Sequence, residues 1–179
     1  MKMSLDSALN LAELQGLRST LNGQTNSLSR AFIFACCSGV EWLDIVTLTW
    51  SQVRIEDEKC PYIELGYKRR DGSTKHYLSV PAVESIGERK TDPDRVFEGL
   101  EHQDWKNPEL GEWASHAGIK KILNFEIARA TFIHIMLMEL GYSIYDVANL
   151  LNMRADDLAE QYGLQLLTCV KPLPSIGLA

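Results

Sequence analysis

Two charged residues interrupt the most apolar stretch of the chain. Glu126 and Arg129 stand three positions apart in the apolar run 125–140, and this spacing places them on one face of a helix. Because a charge among apolar neighbours is costly unless it is paired or used, the two residues indicate either a structural ion pair or a functional site. His134 is turned away from Arg129 and is predicted to be a hydrogen-bonded core histidine, with a catalytic role as the alternative. Tyr162 ends a later helix, where a tyrosine is usually half-buried with a solvated hydroxyl.

The common catalytic and metal-binding motifs are missing from the sequence. It contains no glycine-rich phosphate loop, no HExxH zinc motif and no GxSxG nucleophile elbow. The histidines lack metal-ligand spacing. The cysteines show neither CxxC spacing nor a disulfide-rich density, and they are Cys36, Cys37, Cys60 and Cys169. The sequence therefore predicts no metal and no cofactor, gives little support to small-molecule chemistry, and favours a reducing, cytoplasmic location.

The elements that must position these residues are predicted as helices, then a small sheet, then more helices. The helical segments are 10–21, 29–37, 41–47, a short helix starting at Pro81, 125–140, a helix capped by Ser143 and Asp146, and 156–162. Asn10 and Glu13 have the spacing of a capping box for the first of these helices. The strand candidates are 53–56, 62–67 and 76–80. The last two flank the turn Asp71-Gly72, which predicts an antiparallel hairpin.

Length and composition indicate one ordinary globular domain. The chain has 179 residues, of which 45% are hydrophobic and 23% charged, and these proportions exclude disordered and fibrous proteins. Its net charge of −6 argues against a protein that coats nucleic acid through bulk charge. No apolar run reaches the roughly 18–20 residues that a membrane span needs, and residues 1–21 lack a signal-peptide pattern.

One local cluster of basic residues lies in the predicted hairpin. This hairpin basic cluster consists of Lys68, Arg69, Arg70 and Lys75. A basic turn is often simply solvated, but a patch of this kind can also contact the DNA backbone. The sequence leaves both interpretations open, and it lacks the interleaved aromatic residues that stack on single-stranded bases.

The order of several motifs resembles the tyrosine recombinases, the phage-integrase family. The run FACCSGVEWLDIVTLTW at 34–50 is similar to the family's first conserved box, and the predicted hairpin follows it as in the family. The run ARATF at 128–132 resembles the second box. The run IYDVANLLNM at 144–153, followed nine residues later by Tyr162, resembles the third box and the spacing to the nucleophile. The resemblance covers roughly residues 10–163 and is strongest to integrases of conjugative transposons.

This resemblance implies a fold, a reaction and a biological setting. The implied fold is α+β and mainly helical, the tyrosine-recombinase catalytic-domain bundle with a small three-stranded antiparallel sheet. The reaction is phosphoryl transfer, in which a tyrosine hydroxyl attacks a DNA phosphodiester without a metal. Two arginines neutralise the phosphate oxygens, and a hairpin lysine assists the leaving oxygen. The setting is DNA binding, integration and recombination by a mobile element.

Carried onto this chain, the resemblance assigns several catalytic positions. Tyr162 matches the nucleophile, Arg129 the second arginine and Asp44 the family's carboxylate. Lys68 matches the hairpin lysine, with Arg69 as the alternative for that role. The hairpin basic cluster as a whole is the predicted contact to duplex DNA.

Three family positions are replaced in this sequence. Glu41 stands where the first arginine belongs, Glu126 where the first histidine belongs, and Met153 where the last histidine or tryptophan belongs. A missing donor to a developing anion costs about 2.7–4 kcal/mol, and a carboxylate about 4 Å from the phosphate adds roughly 4 kcal/mol at an effective dielectric of 20. Together these slow the reaction on the order of 10⁵-fold. We therefore predict an impaired or inactive recombinase, in which Arg129 pairs with both glutamates.

Two alternatives to an impaired recombinase stay open. In the first, the domain is an active strand-exchange enzyme in which Arg30, Arg69 or Arg154 enters the site. The sequence therefore leaves open whether the chain is an enzyme. In the second, it is a protein-interaction module without nucleic acid, which the net charge of −6 favours.

The predicted organisation is one domain between two tails. Residues 1–9 form an N-terminal tail, 10–165 the integrase-like catalytic domain, and 166–179 a C-terminal tail. Proline residues in the C-terminal tail forbid a long helix. Since family members often pass a C-terminal segment between protomers, this tail is the predicted contact to a second copy or to a partner recombinase.

Overall fold

The computed structural model describes residues 5–21, 26–55 and 60–164. Within these ranges the α-helices are α1 (Leu11–Ser19), α2 (Ser27–Ser38), α3 (Trp42–Thr47), α4 (Val80–Ile86), α5 (Glu109–His116), α6 (Phe125–His134), α7 (Ile144–Leu150) and α8 (Ala155–Tyr162). Shorter 3₁₀ turns cover Leu5–Ser7, Trp50–Gln52 and His102–Lys106, and a π-helical turn covers Ile135–Glu139. The strands are β1 (Val53–Arg54), β2 (Tyr62–Glu64) and β3 (Lys75–Tyr77). The predicted α+β, mainly helical fold is confirmed.

The three strands form one antiparallel sheet in the order β1–β2–β3. Val53 pairs with Ile63, and Ile63 pairs with His76, so that one row of side chains across the sheet is buried. The hairpin is confirmed, but its strands are shorter than predicted. Leu65 is still buried, and its N–H donates to the Thr74 carbonyl at 2.8 Å. Residues 66–68 are exposed, so no buried side chain extends the pairing of β2 beyond that point.

Helix α2 forms the centre of the main hydrophobic core. Phe32 and Phe34 are completely buried, and the helix packs against α4 and α6. It starts two residues earlier than predicted, because the Asn26 side chain accepts the Leu28 N–H at 2.8 Å and caps it. The helix is covered by neighbours on most sides, and this explains why most of its residues are apolar.

Gly39 ends α2 and brings the end of this helix against a second core. Its φ of +71° lies in the left-handed region, and a Cβ there would lie 2.5 Å from Leu151 Cδ2 and 2.6 Å from Phe132 Cδ1. Only glycine satisfies both the backbone conformation and the close approach. The second core joins α6, α7 and α8, and it includes Leu158 and Tyr162. The last turn of α8 is thus held by packing on two other helices.

The predicted helix caps are confirmed at both ends of the chain. Asn10 and Glu13 form a capping box at α1, and Ser143 and Asp146 form another at α7. These reciprocal hydrogen bonds fix where each helix begins and therefore how its buried face is turned.

The predicted helix 125–140 is divided into two parts, and His134 differs from its prediction. The α-helical part ends at His134, and a π-helical turn continues to Glu139. His134 is half-buried, with Nε2 3.8 Å from Glu139 Oε1, so the prediction of a core histidine is wrong. The core-facing positions of this helix are taken by Phe132 and Ile133 instead.

The segment before α1 packs onto the domain. Leu9 is completely buried, and its N–H donates to Thr131 Oγ1 at 2.9 Å. The carbonyl of Ala8 accepts a hydrogen bond from Lys121 Nζ at 2.7 Å. These contacts attach residues 5–9, which lie within the predicted N-terminal tail, to α6 and to the loop before it. Across the described ranges, no helix combines the length and the apolarity that a bilayer crossing requires.

Candidate active-site cleft

A cleft of about 380 Å³ opens where α3, α6 and α8 approach one another. Glu41 stands at the N-cap position of α3, and Tyr162 is the last residue of α8. Glu126 and Arg129 project from the first turns of α6, and Met153 lies between α7 and α8. The remaining lining residues are Trp42, Leu43, Trp105, Phe125 and Gln161. Five residues that the sequence analysis singled out therefore share one cavity.

Arg129 forms an ion pair with Glu41 inside this cleft. Its Nη1 lies 2.7 Å from Glu41 Oε1, and only 13% of the arginine side chain is exposed. The Glu41 side chain makes no capping hydrogen bond to α3, which leaves its carboxylate available to the guanidinium. Arg129 Nη2 also lies 3.5 Å from Met153 Sδ. The guanidinium thus has a carboxylate partner on one side and a soft thioether on the other.

Glu126 does not join this ion pair. It is exposed at the start of α6, and within the described residues it has no basic partner at salt-bridge distance. The prediction that Arg129 pairs with both glutamates is therefore wrong for Glu126. Glu126 stands one helical turn from Arg129, and its charge still acts on the Tyr162 hydroxyl.

Tyr162 is buried at the edge of the cleft, and its hydroxyl has no hydrogen-bond partner among the described residues. The prediction of a half-buried tyrosine with a solvated hydroxyl is wrong, because the second core encloses the ring. Burial raises the pKa of this phenol, and the charges of Glu126 and Glu41 raise it further. The nearby Arg129 guanidinium lowers the pKa through its charge and through a polar side-chain interaction with the hydroxyl. The net shift is upward, which disfavours the phenolate needed for nucleophilic attack.

Asp44 and Tyr67 form a second polar pair beside the Glu41–Arg129 ion pair. The Tyr67 hydroxyl donates to Asp44 Oδ2 at 3.1 Å. Burial raises the pKa of Asp44; the Tyr67 hydrogen bond and the Arg129 charge oppose this shift, and the Glu41 charge adds to it. Burial and the Asp44 carboxylate together raise the pKa of Tyr67 to about 12. Nothing in the sequence analysis identified Tyr67, since a tyrosine in a predicted strand carries no signal for this contact.

The hairpin basic cluster divides into structural and solvent-facing residues. Arg69 Nη2 donates to the carbonyls of Asn149 at 2.6 Å and Leu150 at 3.1 Å, which closes the C-terminal end of α7. Lys68 and Arg70 have exposed side chains. Lys75 Nζ lies 4.3 Å from the centre of the Tyr62 ring. None of these four basic side chains lines the cleft of about 380 Å³. Arg69 does line a small neighbouring cavity of about 20 Å³, together with Glu41 and Arg129.

The other arginines considered as replacements also lie away from the cleft. Arg30 Nε donates to the Ser85 carbonyl at 3.1 Å, and its guanidinium lies 5.8 Å from the centre of the Phe97 ring. Arg154 lies 3.5 Å from Asp156 at the surface. Within the described part of the chain, Arg129 is thus the one arginine that lines the cleft.

His76 is a buried histidine whose two ring nitrogens are both hydrogen-bonded. Nε2 lies 2.9 Å from the Ser38 carbonyl oxygen and therefore carries the proton, while Nδ1 accepts from Arg69 Nη1 at 3.1 Å. Burial lowers the pKa of His76 to about 4, the Ser38 hydrogen bond opposes this, and the charges of Arg69 and Arg129 add to it. A neutral His76 thus links the sheet to the end of α2 and, through Arg69, to α7.

No protein-family model matches the sequence, and no curated protein is significantly similar to it. The fold is similar to two solved structures. One is the crystal structure of XerA recombinase, with a TM-score of 0.67, 17% identity, and coverage of 88% of this chain and 59% of that one. The other is the Tn1549 transposon integrase in complex with circular intermediate DNA, with a TM-score of 0.55, 11% identity, and coverage of 89% and 63%.

These similarities establish the fold of the chain. It is the tyrosine-recombinase and integrase catalytic-domain fold, as the motifs predicted. The chain spans about three fifths of the length of each of these two proteins, 59% of one and 63% of the other. The residues of the cleft must therefore be judged on their own chemistry, since a shared fold does not transfer an activity.

Proposed function

We propose that this chain is a catalytically impaired tyrosine-recombinase domain that binds duplex DNA or a recombinase partner without cutting DNA. The observation that carries the proposal is the ion pair between Arg129 and Glu41, with 2.7 Å between Nη1 and Oε1. In an active site of this kind a free arginine holds the phosphate oxygens. Here a carboxylate of the same chain occupies the guanidinium, so a phosphate has to displace it.

The state of Tyr162 supports the same conclusion. Its hydroxyl is buried, its pKa is raised, and the groups around it include two carboxylates. No lysine lines the cleft in the described ranges, so the lysine role predicted for Lys68 has no support from its position. The chain therefore combines a weak nucleophile with a site that repels the negatively charged ester.

The remaining DNA contact is proposed at the hairpin. Lys68 and Arg70 are exposed on the turn between β2 and β3, where they can approach a phosphate backbone. Arg69 is engaged with α7 and is proposed to hold the hairpin in place. Assembly with a partner recombinase through residues 166–179 is part of the proposal, and those residues lie outside the described ranges.

One experiment separates this proposal from both alternatives. The protein is incubated with labelled, nicked suicide duplexes of varied sequence; binding is followed by fluorescence anisotropy at several salt concentrations, and covalent adducts by denaturing gel. We expect salt-sensitive binding and no adduct beyond that of Tyr162→Phe. A Tyr162-dependent adduct would show an active recombinase, whereas absence of binding even at low ionic strength would show an interaction module.

Matched variants locate the binding surface in the same experiment. Lys68→Gln with Arg70→Gln is expected to flatten the dependence of log affinity on log salt by about one for each phosphate contact removed. Lys90→Gln, which removes a lysine that is paired with Glu98 elsewhere on the surface, is expected to leave this slope unchanged. If both changes alter the salt dependence equally, the hairpin is not the DNA-binding surface.

A further inference from the structure

We propose that the cleft around Arg129 binds an arginine side chain of a partner protein. The inference rests on the proposed function, because it assumes that the cleft no longer holds a scissile phosphate. Three features of the cleft carry it: the sign of its charge, its aromatic walls, and a buried hydroxyl that lacks a partner.

The charge of the cleft favours a cation. Glu41 and Glu126 contribute two carboxylates and Arg129 one guanidinium, which leaves one net negative charge. The Glu41 and Arg129 charges neutralise each other at 2.7 Å. Glu126 is exposed and has no ion-pair partner within the described ranges, so its carboxylate is available to an incoming basic group. A phosphate at the same place is repelled by this unpaired carboxylate.

Three aromatic residues line the cleft and can contribute to binding a cation. The rings of Trp42 and Phe125 lie together, with 4.0 Å between their centroids, and Trp105 also lines the cleft. Trp105 already accepts a cation of this chain, since Lys106 Nζ lies 5.0 Å from its ring centroid. A guanidinium stacks flat on an indole and donates to a carboxylate from its edge, which an ammonium cannot do at the same time. This combination of groups selects arginine over lysine.

The hydroxyl of Tyr162 supplies the third feature. The residue is 4% exposed, and its hydroxyl has no hydrogen-bond partner among the described residues. Buried polar groups in folded proteins normally form a hydrogen bond, so this hydroxyl is able to bind an additional partner. The hydroxyl oxygen has essentially no accessible surface, so a guanidinium that enters the cleft reaches it only after the side chains in front of it move. Because the hydroxyl keeps its proton at neutral pH, its oxygen can then accept an N–H.

The test uses a small basic probe and the tryptophan indole signals of the full chain. The protein is labelled with ¹⁵N and titrated with the capped tripeptide Gly-Arg-Gly, with Gly-Lys-Gly and Gly-Glu-Gly in parallel. We expect Gly-Arg-Gly to shift the indole N–H signals of Trp42 and Trp105, which line the cleft. Trp50 and Trp113 are buried elsewhere and serve as internal references. Gly-Lys-Gly is expected to bind at least about threefold more weakly, and Gly-Glu-Gly is expected to cause no shift.

Two exposed glutamates provide matched variants. Glu126→Gln is expected to weaken Gly-Arg-Gly binding about fivefold, because it removes the unpaired carboxylate of the cleft. Glu112→Gln, on an exposed position of α5, is expected to have no effect. Equal shifts with the arginine and glutamate peptides, or unchanged affinity in Glu126→Gln, would overturn the inference. The experiment contains no DNA, so a chain that makes no DNA adduct and ignores Gly-Arg-Gly refutes this inference while leaving the proposed function intact.

Discussion

The Glu41→Arg variant is expected to form a covalent adduct on a nicked duplex about 10⁵-fold faster than the wild-type chain. The change removes a carboxylate that costs roughly 4 kcal/mol beside a phosphate. It also adds a donor to the developing anion, which contributes about 2.7–4 kcal/mol. At the same time Arg129 loses the partner that now holds it at 2.7 Å. The initial rate of adduct formation under single-turnover conditions measures the effect.

Two further variants divide this gain into its parts. Glu41→Gln removes the repulsion without adding a donor and is expected to accelerate the reaction about 10³-fold. Tyr162→Phe in the Glu41→Arg background is expected to abolish the adduct, since the hydroxyl is the only nucleophile in the proposal. A folded Glu41→Arg variant that binds the duplex and reacts no faster than wild type would show that Glu41 does not limit the chemistry.

Protonation of His76 is expected to lower the free energy of unfolding by about 3 kcal/mol as the pH falls from 7 to 4. In the folded chain its pKa is lowered to about 4 from an ordinary 6.5. Between these two values the unfolded chain binds more protons than the folded one, so acidification favours unfolding. The destabilisation is absent well above pH 6.5 and grows progressively as the pH falls toward 4.

The His76→Gln variant isolates this contribution from the other titrating groups. A glutamine amide can donate to the Ser38 carbonyl and accept from Arg69, and it does not titrate. Urea unfolding at a series of pH values is expected to show a steeper loss of stability for wild type than for the variant between pH 6.5 and 4. Parallel profiles would mean that His76 is protonated in the folded chain without cost.

The sequence predicted the fold because each level of the pattern agreed. The capping residues, the hairpin turn and the apolar helices are local signals, and the structure confirms them. Gly39 in the first motif is explained by the close approach of Phe132 and Leu151, which no other residue allows. Strand ends were harder to predict, since they depend on where the buried face of the hairpin stops.

Five candidate residues were predicted to lie together, but Lys68, which the resemblance also assigned to the site, lies outside the cleft. The motifs brought Glu41, Glu126, Arg129, Met153 and Tyr162 to one cleft, as expected. Spacing alone did not show that Glu126 stays outside the ion pair, because that depends on which way each side chain leaves α6. Nor did it show that the Tyr162 hydroxyl is buried, because the enclosing core comes from other helices.

The aromatic wall was missed for a different reason. Trp105 belongs to a short 3₁₀ turn after an acidic, irregular segment, and Phe125 reads as an ordinary core residue at a helix start. Their meeting with Trp42 depends on contacts between segments far apart in sequence. Similarly, Arg69 reads as part of a basic surface cluster, whereas the structure directs its guanidinium to the end of α7.

The central claim is that Glu41 holds the guanidinium that a phosphate would otherwise occupy. A double-mutant cycle tests it most directly, with Glu41→Gln, Arg129→Met and the double variant compared by urea unfolding at neutral pH and low salt. We expect a favourable coupling free energy of about 1 kcal/mol that shrinks as salt is added, since the carboxylate is partly exposed. A coupling indistinguishable from zero at low salt would show that Arg129 is free for a phosphate and would contradict the account.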